Sequence, residues 1–330
     1  MFLLSESNLG NMSWGVREDL GRTIKGLPLP QRPLTEFLLA SILARLLRSQ
    51  DTIVSNFVWM SNHPHMFLYS LDAEALRDFH GQCKKRITDF LKRLLNIKDN
   101  LSLWNVNDSM PEMLDLDQAT ERLIYMFLNP VRGKNSKCRT IDNYKGFNTW
   151  NEFISVPADV NACVEKEIPH ILLTDIEALS RANPSKAEEE RVIEELKNKS
   201  KKRETQILRV YPLKWLEVYG ITEPKDIERI RNKVISRVRE VEADLAEGRK
   251  EEEPKLEGYD ITDSYIPPKQ ERRVFMYGST KEIRLRYLEL FKRFKEKCRA
   301  CYEQMKQGCK DILWPPEAFV PPAPKLCNVF

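Results

Sequence analysis

The stretch TIVSNFVWMSNHPHMFLYS, residues 52–70, decides the fold that this chain is expected to adopt. Its first half, TIVSNFVWM, is rich in β-branched and aromatic residues and predicts a strand. Ser61 and Asn62 form a turn, and HPHMFLYS predicts a second strand. Because the two strands are so close in sequence, they are expected to pair antiparallel as a hairpin.

Helices are predicted on both sides of this hairpin. The segment from about Thr35 to Arg48 is apolar almost all round, which favours a buried helix. Asp72 is a good N-cap for a long helix with a single apolar stripe. The residues of that stripe are Leu76, Phe79, Cys83, Ile87, Phe90, Leu91 and Leu94. Asp115 and Gln118 resemble a capping box for a further helix, which is expected to stop at Asn129–Pro130. This order of elements indicates an α+β fold with a small antiparallel sheet.

The second half of the chain is strongly charged and mainly helical in pattern. KAEEERVIEELKNKSKKRE predicts either an exposed helix or a linker. A helix with an apolar stripe is predicted between Thr222, as its cap, and Gly248. The residues of this stripe are Ile227, Ile230, Val234, Val238 and Val241. A last long helix is predicted near residues 279–308. We therefore divide the chain into an α+β domain, 1–180, and a charged helical region, 181–330.

Composition restricts the function only weakly. The net charge of +4 over 330 residues is too small to prove a nucleic-acid partner by itself. No apolar run approaches the roughly 18 residues of a membrane span, and MFLLSESNLG lacks the basic start of a signal peptide. Seven cysteines in a chain of this length favour reduced thiols. A soluble cytoplasmic protein is the expectation.

His63-Pro64-His65 is the first candidate for chemistry. Residues two apart on a strand share one face, so the two imidazoles form half of a metal site. Neutral imidazole binds Mn, Zn and Fe well, and Mg less readily. Such a pair is also compatible with a purely structural role.

Tyr125 and Asn129 are the second candidate. They lie four residues apart on a predicted helix and therefore on the same face, one turn apart. An amide oxygen can be a third metal ligand, and a phenol beside a metal can be a covalent nucleophile for phosphoryl transfer. The alternative is a core tyrosine with Asn129 as a helix cap.

These segments resemble a known family. VWMSNHPHMFL, residues 58–68, is similar to the HUH strand of REP-associated tyrosine transposases, a bacterial single-tyrosine HUH family. IYMFLNPVRG, residues 124–133, is similar to the family's nucleophile helix, in which an asparagine and a proline follow the tyrosine four residues later. The resemblance covers about residues 34–155 and continues weakly to the end.

The resemblance implies a ferredoxin-like HUH domain that nicks and rejoins single-stranded DNA next to a hairpin. Tyr125 would be the nucleophile, forming a 5'-phosphotyrosine intermediate. His63, His65 and Asn129 would hold a divalent metal, Mg or Mn. A bacterial cytoplasmic protein without a membrane partner is implied, and a homo-oligomer is compatible with this function.

Two features depart from the family pattern. Pro64 stands between the histidines, where the family has a bulky apolar residue, and it cannot donate a ladder hydrogen bond. A bulge or an unpaired position is therefore expected at this strand. The opening strand, which should lie centrally in the sheet, is not obvious, and either MFLL or the stretch around Trp14 to Val16 could form it.

Basic residues near these motifs could contact a DNA backbone. Those on the helix after the hairpin are Lys84, Lys85, Lys92 and Arg93, together with Arg86. Those after the nucleophile helix are Arg132, Lys134, Lys137 and Arg139. A solvated helix face is the alternative for the first set. Trp59 and Trp104 could stack on bases, but core packing is the simpler interpretation.

Three hypotheses follow. The first is an active enzyme that nicks and rejoins DNA. The second is a catalytically inactive, domesticated relative that keeps the DNA-binding surface without assembling the metal. The third, motivated by the charged C-terminal half, is a protein-interaction scaffold that happens to carry two nearby histidines.

Overall fold

The computed structural model describes residues 15–19, 31–48, 51–70, 73–98, 103–104, 110–132, 138–181, 183–247, 275–309, 311–315, 318 and 320–321. The strands are β1 (Gly15–Asp19), β2 (Thr52–Trp59), β3 (Pro64–Ser70), β4 (Glu112–Met113), β5 (Val164–Ile168), β6 (Gln206–Val210) and β7 (Met276–Tyr277). The α-helices are α1 (Pro33–Leu47), α2 (Ala73–Leu94), α3 (Leu116–Arg132), α4 (Trp150–Ser155), α5 (Lys186–Ser200), α6 (Pro224–Ala246) and α7 (Lys281–Lys306). Short 3-10 helices span Ile141–Asn143, Leu173–Asp175 and Lys214–Tyr219.

The fold is α+β, as predicted, and is built around a small sheet with the strand order β2-β3-β1-β4-β7. The neighbours β2/β3, β3/β1 and β1/β4 are antiparallel. The prediction of a purely antiparallel sheet is wrong, because β7 pairs parallel to β4, with Met276 opposite Glu112 and Tyr277 opposite Met113. A separate antiparallel pair joins β5 to β6.

The hairpin of β2 and β3 is confirmed, with Trp59 opposite Pro64 at its closed end. Pro64 is the first residue of β3, a position where a proline is tolerated. The bulge predicted at Pro64 is absent from this described hairpin, whose irregularity lies between Val54 and Asn56 instead. At that point Val54 O accepts a hydrogen bond from Tyr211 N, at 3.1 Å. The bulge therefore accommodates the chain that follows β6.

The opening strand is β1, within the second of the two stretches considered for it. It lies between β3 and β4, the central position expected of it. Its pairing runs from Gly15 opposite Ser70 to Asp19 opposite Met66. The alternative stretch, MFLL, lies outside the described residues.

Each face of the sheet carries its own apolar core. In β3, Met66 and Leu68 contribute to a first core with α1, α2 and parts of α5 and β6. Phe67, which points to the other face, contributes to a second core with α3, α4 and α6. The alternation of strand side chains therefore assigns α2 and α3 to opposite faces.

The predicted helices agree with the structure in their apolar faces. Every residue of the stripe predicted on α2 is buried, and α1 is buried almost all round. The N-terminal capping of α3 is also confirmed, because Gln118 N donates to Asp115 Oδ1 at 2.8 Å. The predicted stop at Asn129–Pro130 is wrong, since α3 continues through Pro130 to Arg132. Pro130 removes only one hydrogen bond, to the Met126 carbonyl, and the last turn forms nevertheless.

The division at residue 180 follows composition but does not separate two cores. Strand β6 pairs with β5 across it, and α6 buries Ile227, Ile230, Val234 and Val238 in the core that contains α3. The charged segment after residue 185 is a helix, α5. The N-cap of α6 is Glu223 rather than the predicted Thr222.

The last long helix is confirmed as α7, and none of its residues is fully buried. Across the described ranges, we find no helix that combines the length and the apolar character needed to span a membrane.

Candidate active site

His65 is the second residue of β3, and its side chain lies on the face of the sheet that packs against α3. Its side chain is only 3% exposed. Its Nε2 atom is 2.7 Å from Nδ2 of Asn129, so the amide donates to this nitrogen and the ring proton is on Nδ1. The strand and the helix thus bring two of the predicted ligands into direct contact, although they are 64 positions apart.

His63 lies just before β3, in the tight connection of the hairpin. Its ring centroid is 4.6 Å from that of His65, with the rings at 68°. Its Nδ1 forms a short hydrogen bond with Oδ1 of Asn62. Because an amide oxygen only accepts, Nδ1 carries the proton and Nε2 carries the lone pair. Met60 N donates to the His63 carbonyl at 3.0 Å, which closes the turn.

Tyr144 fixes this turn from outside the hairpin. Its hydroxyl donates to the Trp59 carbonyl at 2.5 Å and accepts from Nε2 of Gln31 at 2.6 Å. The hydrogen bond from Tyr144 therefore holds Trp59, the last residue of β2, next to the connection that carries His63. Sequence analysis did not identify Tyr144, because nothing in its local pattern indicates a contact with residues 85 positions earlier.

Tyr125 and Asn129 lie on one face of α3, as the spacing predicted. Both are half-buried. The Tyr125 ring centroid is 6.0 Å from that of His65, with the rings at 74°. The two histidines, the phenol and the carboxamide therefore lie together on the α3 side of the sheet.

Two arginines accompany Tyr125 on α3. The Arg122 guanidinium carbon is 4.3 Å from the centroid of the Tyr125 ring, and that of Arg132 is 5.6 Å from it. Positions 122, 125, 129 and 132 follow a three-four-three spacing, which places them on one helical face. Sequence analysis included Arg132 but missed Arg122, although its spacing from Tyr125 could have identified it.

The donor set fits a divalent cation in its chemistry. Two imidazoles and one carboxamide supply nitrogen and oxygen ligands that suit Mn²⁺ and, less well, Mg²⁺. The hydrogen bond from His63 to Asn62 is of the kind that orients metal-binding histidines. The oxygen and nitrogen of the Asn129 amide exchange places on a half-turn, so the same position can present an oxygen. Within the described residues, no group of three or more His, Cys, Asp or Glu side chains is arranged to hold a metal.

The basic residues of α2 lie on the opposite face of the sheet from Tyr125, because α2 packs in the other core. Two of them contact the protein itself. Lys84 lies over the Trp104 ring at 5.5 Å, and Arg93 Nε donates to the Ile176 carbonyl at 3.0 Å. Lys85 is exposed and Lys92 is half-buried. These four residues are therefore not neighbours of the candidate site.

Of the basic residues after the nucleophile, Arg132 lies beside Tyr125 and is exposed. Lys134 and Lys137 lie outside the described residues. Arg139 is half-buried, so it is less accessible than Arg132.

The tryptophans considered for base stacking belong to the first core. Trp59 is 2% exposed, and Trp104 packs against the same core. The indole nitrogen of Trp104 donates to Thr88 Oγ1 at 2.9 Å and to the Lys84 carbonyl at 3.0 Å. The contacts of both tryptophans are therefore those of core packing.

Comparison with known proteins identifies no relative. No protein-family model matches the chain, and neither the curated proteins nor the solved structures include a match.

Proposed function

We propose that this chain is a metal-dependent protein that nicks single-stranded DNA and transfers the strand through a covalent 5'-phosphotyrosine on Tyr125. The observation that carries the proposal is the convergence of His63, His65, Tyr125 and Asn129. Two of these residues come from the hairpin and two from α3, and Asn129 touches His65 directly.

The order of elements supports the same proposal. The chain runs β1-α1-β2-β3-α2-β4, and these strands lie in the order β2-β3-β1-β4 with antiparallel neighbours. This order supports the ferredoxin-like core that we propose from the resemblance to HUH transposases. A fold alone does not define a function, so the side chains of the site remain the stronger support.

His63, His65 and Asn129 would hold the divalent metal. When bound, the metal would polarise the scissile phosphate and offset the charge that develops on it. The Tyr125 oxygen would form the bond to phosphorus while the bond from phosphorus to the 3' oxygen breaks. The phenol proton would be transferred, overall, to the departing oxygen as a 3' hydroxyl. The reverse attack by a hydroxyl of a second strand would release Tyr125 and join the strands.

Arg132 and Arg122 would supply positive charge on the same side of the helix. A guanidinium binds phosphate oxygens through paired N–H donors. Arg132 is exposed, so it can reach a DNA backbone that approaches Tyr125. The substrate we propose is a single strand flanked by a hairpin.

A second candidate function is a catalytically inactive DNA-binding relative. The contact between Asn129 Nδ2 and His65 Nε2 favours it, because these two groups satisfy each other without a metal. Metal titration separates the two candidates: unchanged DNA affinity together with no metal binding would favour the inactive relative.

The experiment is incubation of the full chain with a labelled, hairpin-flanked single strand and Mn²⁺ or Mg²⁺, followed by denaturing electrophoresis. Wild type is expected to form a protein–DNA adduct that chelation prevents. Tyr125→Phe should form none, while its DNA affinity stays within about twofold, because the variant loses only the nucleophilic oxygen. Tyr302→Phe, on α7, is the matched control and should behave as wild type. An adduct in Tyr125→Phe would show that another residue is the nucleophile.

A further inference from the structure

We propose that Tyr277, in β7, is a positioning residue for Tyr125 and acts on it through Arg122. This inference rests on the function proposed above. It assigns a role at the active site to a residue that follows Tyr125 by about 150 positions in the sequence.

The contact that carries the inference is a stack of three side chains. The Arg122 guanidinium carbon is 4.3 Å from the centroid of the Tyr125 ring and 4.4 Å from that of the Tyr277 ring. A planar guanidinium stacks on aromatic faces and is attracted to their electron-rich surface. Because Arg122 contacts both rings, Tyr277 limits the positions that Arg122 can take over the nucleophile.

Backbone pairing holds Tyr277 in place. Leu114 N donates to the Tyr277 carbonyl at 2.9 Å, and Glu112 N donates to the Phe275 carbonyl at 3.1 Å. These bonds attach β7 to β4, which ends only a few residues before α3 begins. Tyr277 is thus fixed relative to the helix that carries Tyr125.

Two further contacts join the chain after β7 to this region, one at the start of α3 and one at β4. Asp115, whose Oδ1 accepts from Gln118 N, also accepts from Ser279 N through Oδ2, at 2.7 Å. The Tyr287 hydroxyl donates to Glu112 Oε2 at 3.2 Å. The cap of the nucleophile helix and the segment that carries Tyr277 therefore share one carboxylate, so displacement of the segment would disturb both.

The functional consequence concerns the phenol ring. A nucleophile must approach phosphorus in line, and small errors in its placement reduce the rate strongly. Removal of the Tyr277 ring would remove one of the two aromatic faces that the Arg122 guanidinium contacts, and would so loosen its position over Tyr125. The change should reduce the rate of adduct formation rather than the affinity for DNA.

The test is fluorine NMR of the full chain labelled with 3-fluorotyrosine. The resonance of Tyr125 is identified by its loss in Tyr125→Phe. In the absence of DNA and metal, Tyr277→Ala and Arg122→Lys should shift this resonance, whereas Tyr277→Phe should not, because it keeps the ring. Tyr302→Phe is the control for a distant tyrosine. Arg122→Lys keeps the charge and loses the planar stack, so it tests the same link if Tyr277→Ala folds poorly.

The second readout is the rate of adduct formation. At saturating DNA, Tyr277→Ala should slow the reaction about tenfold, because this ratio corresponds to the energy of one cation–π contact. The DNA concentration that gives half of the maximal rate should be nearly unchanged. Tyr277→Phe should restore the rate to within about twofold of wild type. A Tyr125 resonance that is indifferent to both Tyr277→Ala and Arg122→Lys would overturn the inference. Absence of an adduct in wild type, with the resonance still responding, would instead contradict the proposed function and leave the stack established.

Discussion

Helices α2 and α3 pack against opposite faces of the same sheet, and α3 contacts a buried polar residue of that sheet, His65. On the α2 face, Met66 and Leu68 of β3 lie in one core with the apolar stripe of the helix. On the α3 face, β3 presents Phe67 and, next to it, His65, which Asn129 contacts. Adjacent residues of β3 therefore face opposite sides of the sheet, one side with an apolar core and the other with the candidate site.

The comparison also shows that a dense group of charges close to the two histidines in sequence can lie away from them in the fold. Helix α2 carries the most concentrated basic residues near the hairpin, yet they lie across the sheet from Tyr125. The α3 face carries fewer basic residues, but Arg122 and Arg132 lie directly over the Tyr125 ring. Proximity in sequence to His63 and His65 therefore does not place a basic residue beside Tyr125, whereas spacing along α3 does.

The largest expected effect concerns the two cores themselves. Phe79 of α2 and Phe127 of α3 are both fully buried. Replacing either by alanine should lower the free energy of unfolding by about 3–5 kcal/mol, measured by urea denaturation. If one replacement proved nearly neutral, the description of two equivalent cores would fail. Only Phe127→Ala should also weaken Mn²⁺ binding, because Phe127 lies between Tyr125 and Asn129 on α3.

A smaller effect should distinguish the charges on the two faces. Arg132→Gln should reduce the slope of log affinity against log salt for a single strand by about 0.7, the value for one lost phosphate contact. Lys85→Gln, which removes an exposed charge from α2, should leave the slope unchanged. The measurement is fluorescence anisotropy at several salt concentrations. Equal reductions in both variants would mean that DNA contacts both faces of the sheet.

The smallest effect is a pH dependence on the α3 side. Asp142 binds Arg239, and its carboxylate accepts from the Trp150 indole nitrogen at 2.9 Å. The hydrogen bond from Arg239 lowers the pKa of Asp142 below its ordinary value of 3.8. A lowered pKa means that this stabilisation is present above about pH 4 and is lost as the pH falls through the folded-state pKa.

Asp142→Asn should therefore lower the thermal midpoint at pH 7 and make the midpoint fall less steeply below about pH 4. The matched control is Glu74→Gln on α2, which removes an exposed ion pair with Arg77 and should change neither quantity appreciably. Thermal unfolding followed by circular dichroism between pH 2 and 7 would measure both variants. Parallel curves for Asp142→Asn and wild type would contradict this account of the Asp142 pKa.

Much of the fold could be predicted because local patterns define it. The hairpin, the stripe on α2 and the cap at Asp115 each depend on residues that are close to one another in the sequence. The spacing of two residues predicts one face for His63 and His65, and the spacing of four predicts one face for Tyr125 and Asn129. That the two faces meet was implied only by the resemblance to HUH transposases.

Other features depend on contacts between distant residues, which no local sequence pattern predicts. Strand β7 pairs over two residues only, and its partner lies more than 160 positions earlier, so neither the parallel pairing nor the contact of Tyr277 with Arg122 could be anticipated. The continuation of α3 through Pro130 depends on packing, which outweighs the loss of one hydrogen bond. The bulge near Asn56 depends on the chain after β6, because Asn56 Nδ2 donates to the Pro212 carbonyl at 2.8 Å.

The central claim is that His63 and His65 bind one divalent cation on the α3 face, and pulsed electron paramagnetic resonance of added Mn²⁺ tests it most directly. The chain has four histidines, so the control is a double replacement of the other two, His80 and His170. Wild type and His80→Gln/His170→Gln should both show imidazole nitrogen couplings to the bound Mn²⁺, and His63→Gln/His65→Gln should show none. Nitrogen coupling that persists without His63 and His65, or that wild type never displays, would contradict the account.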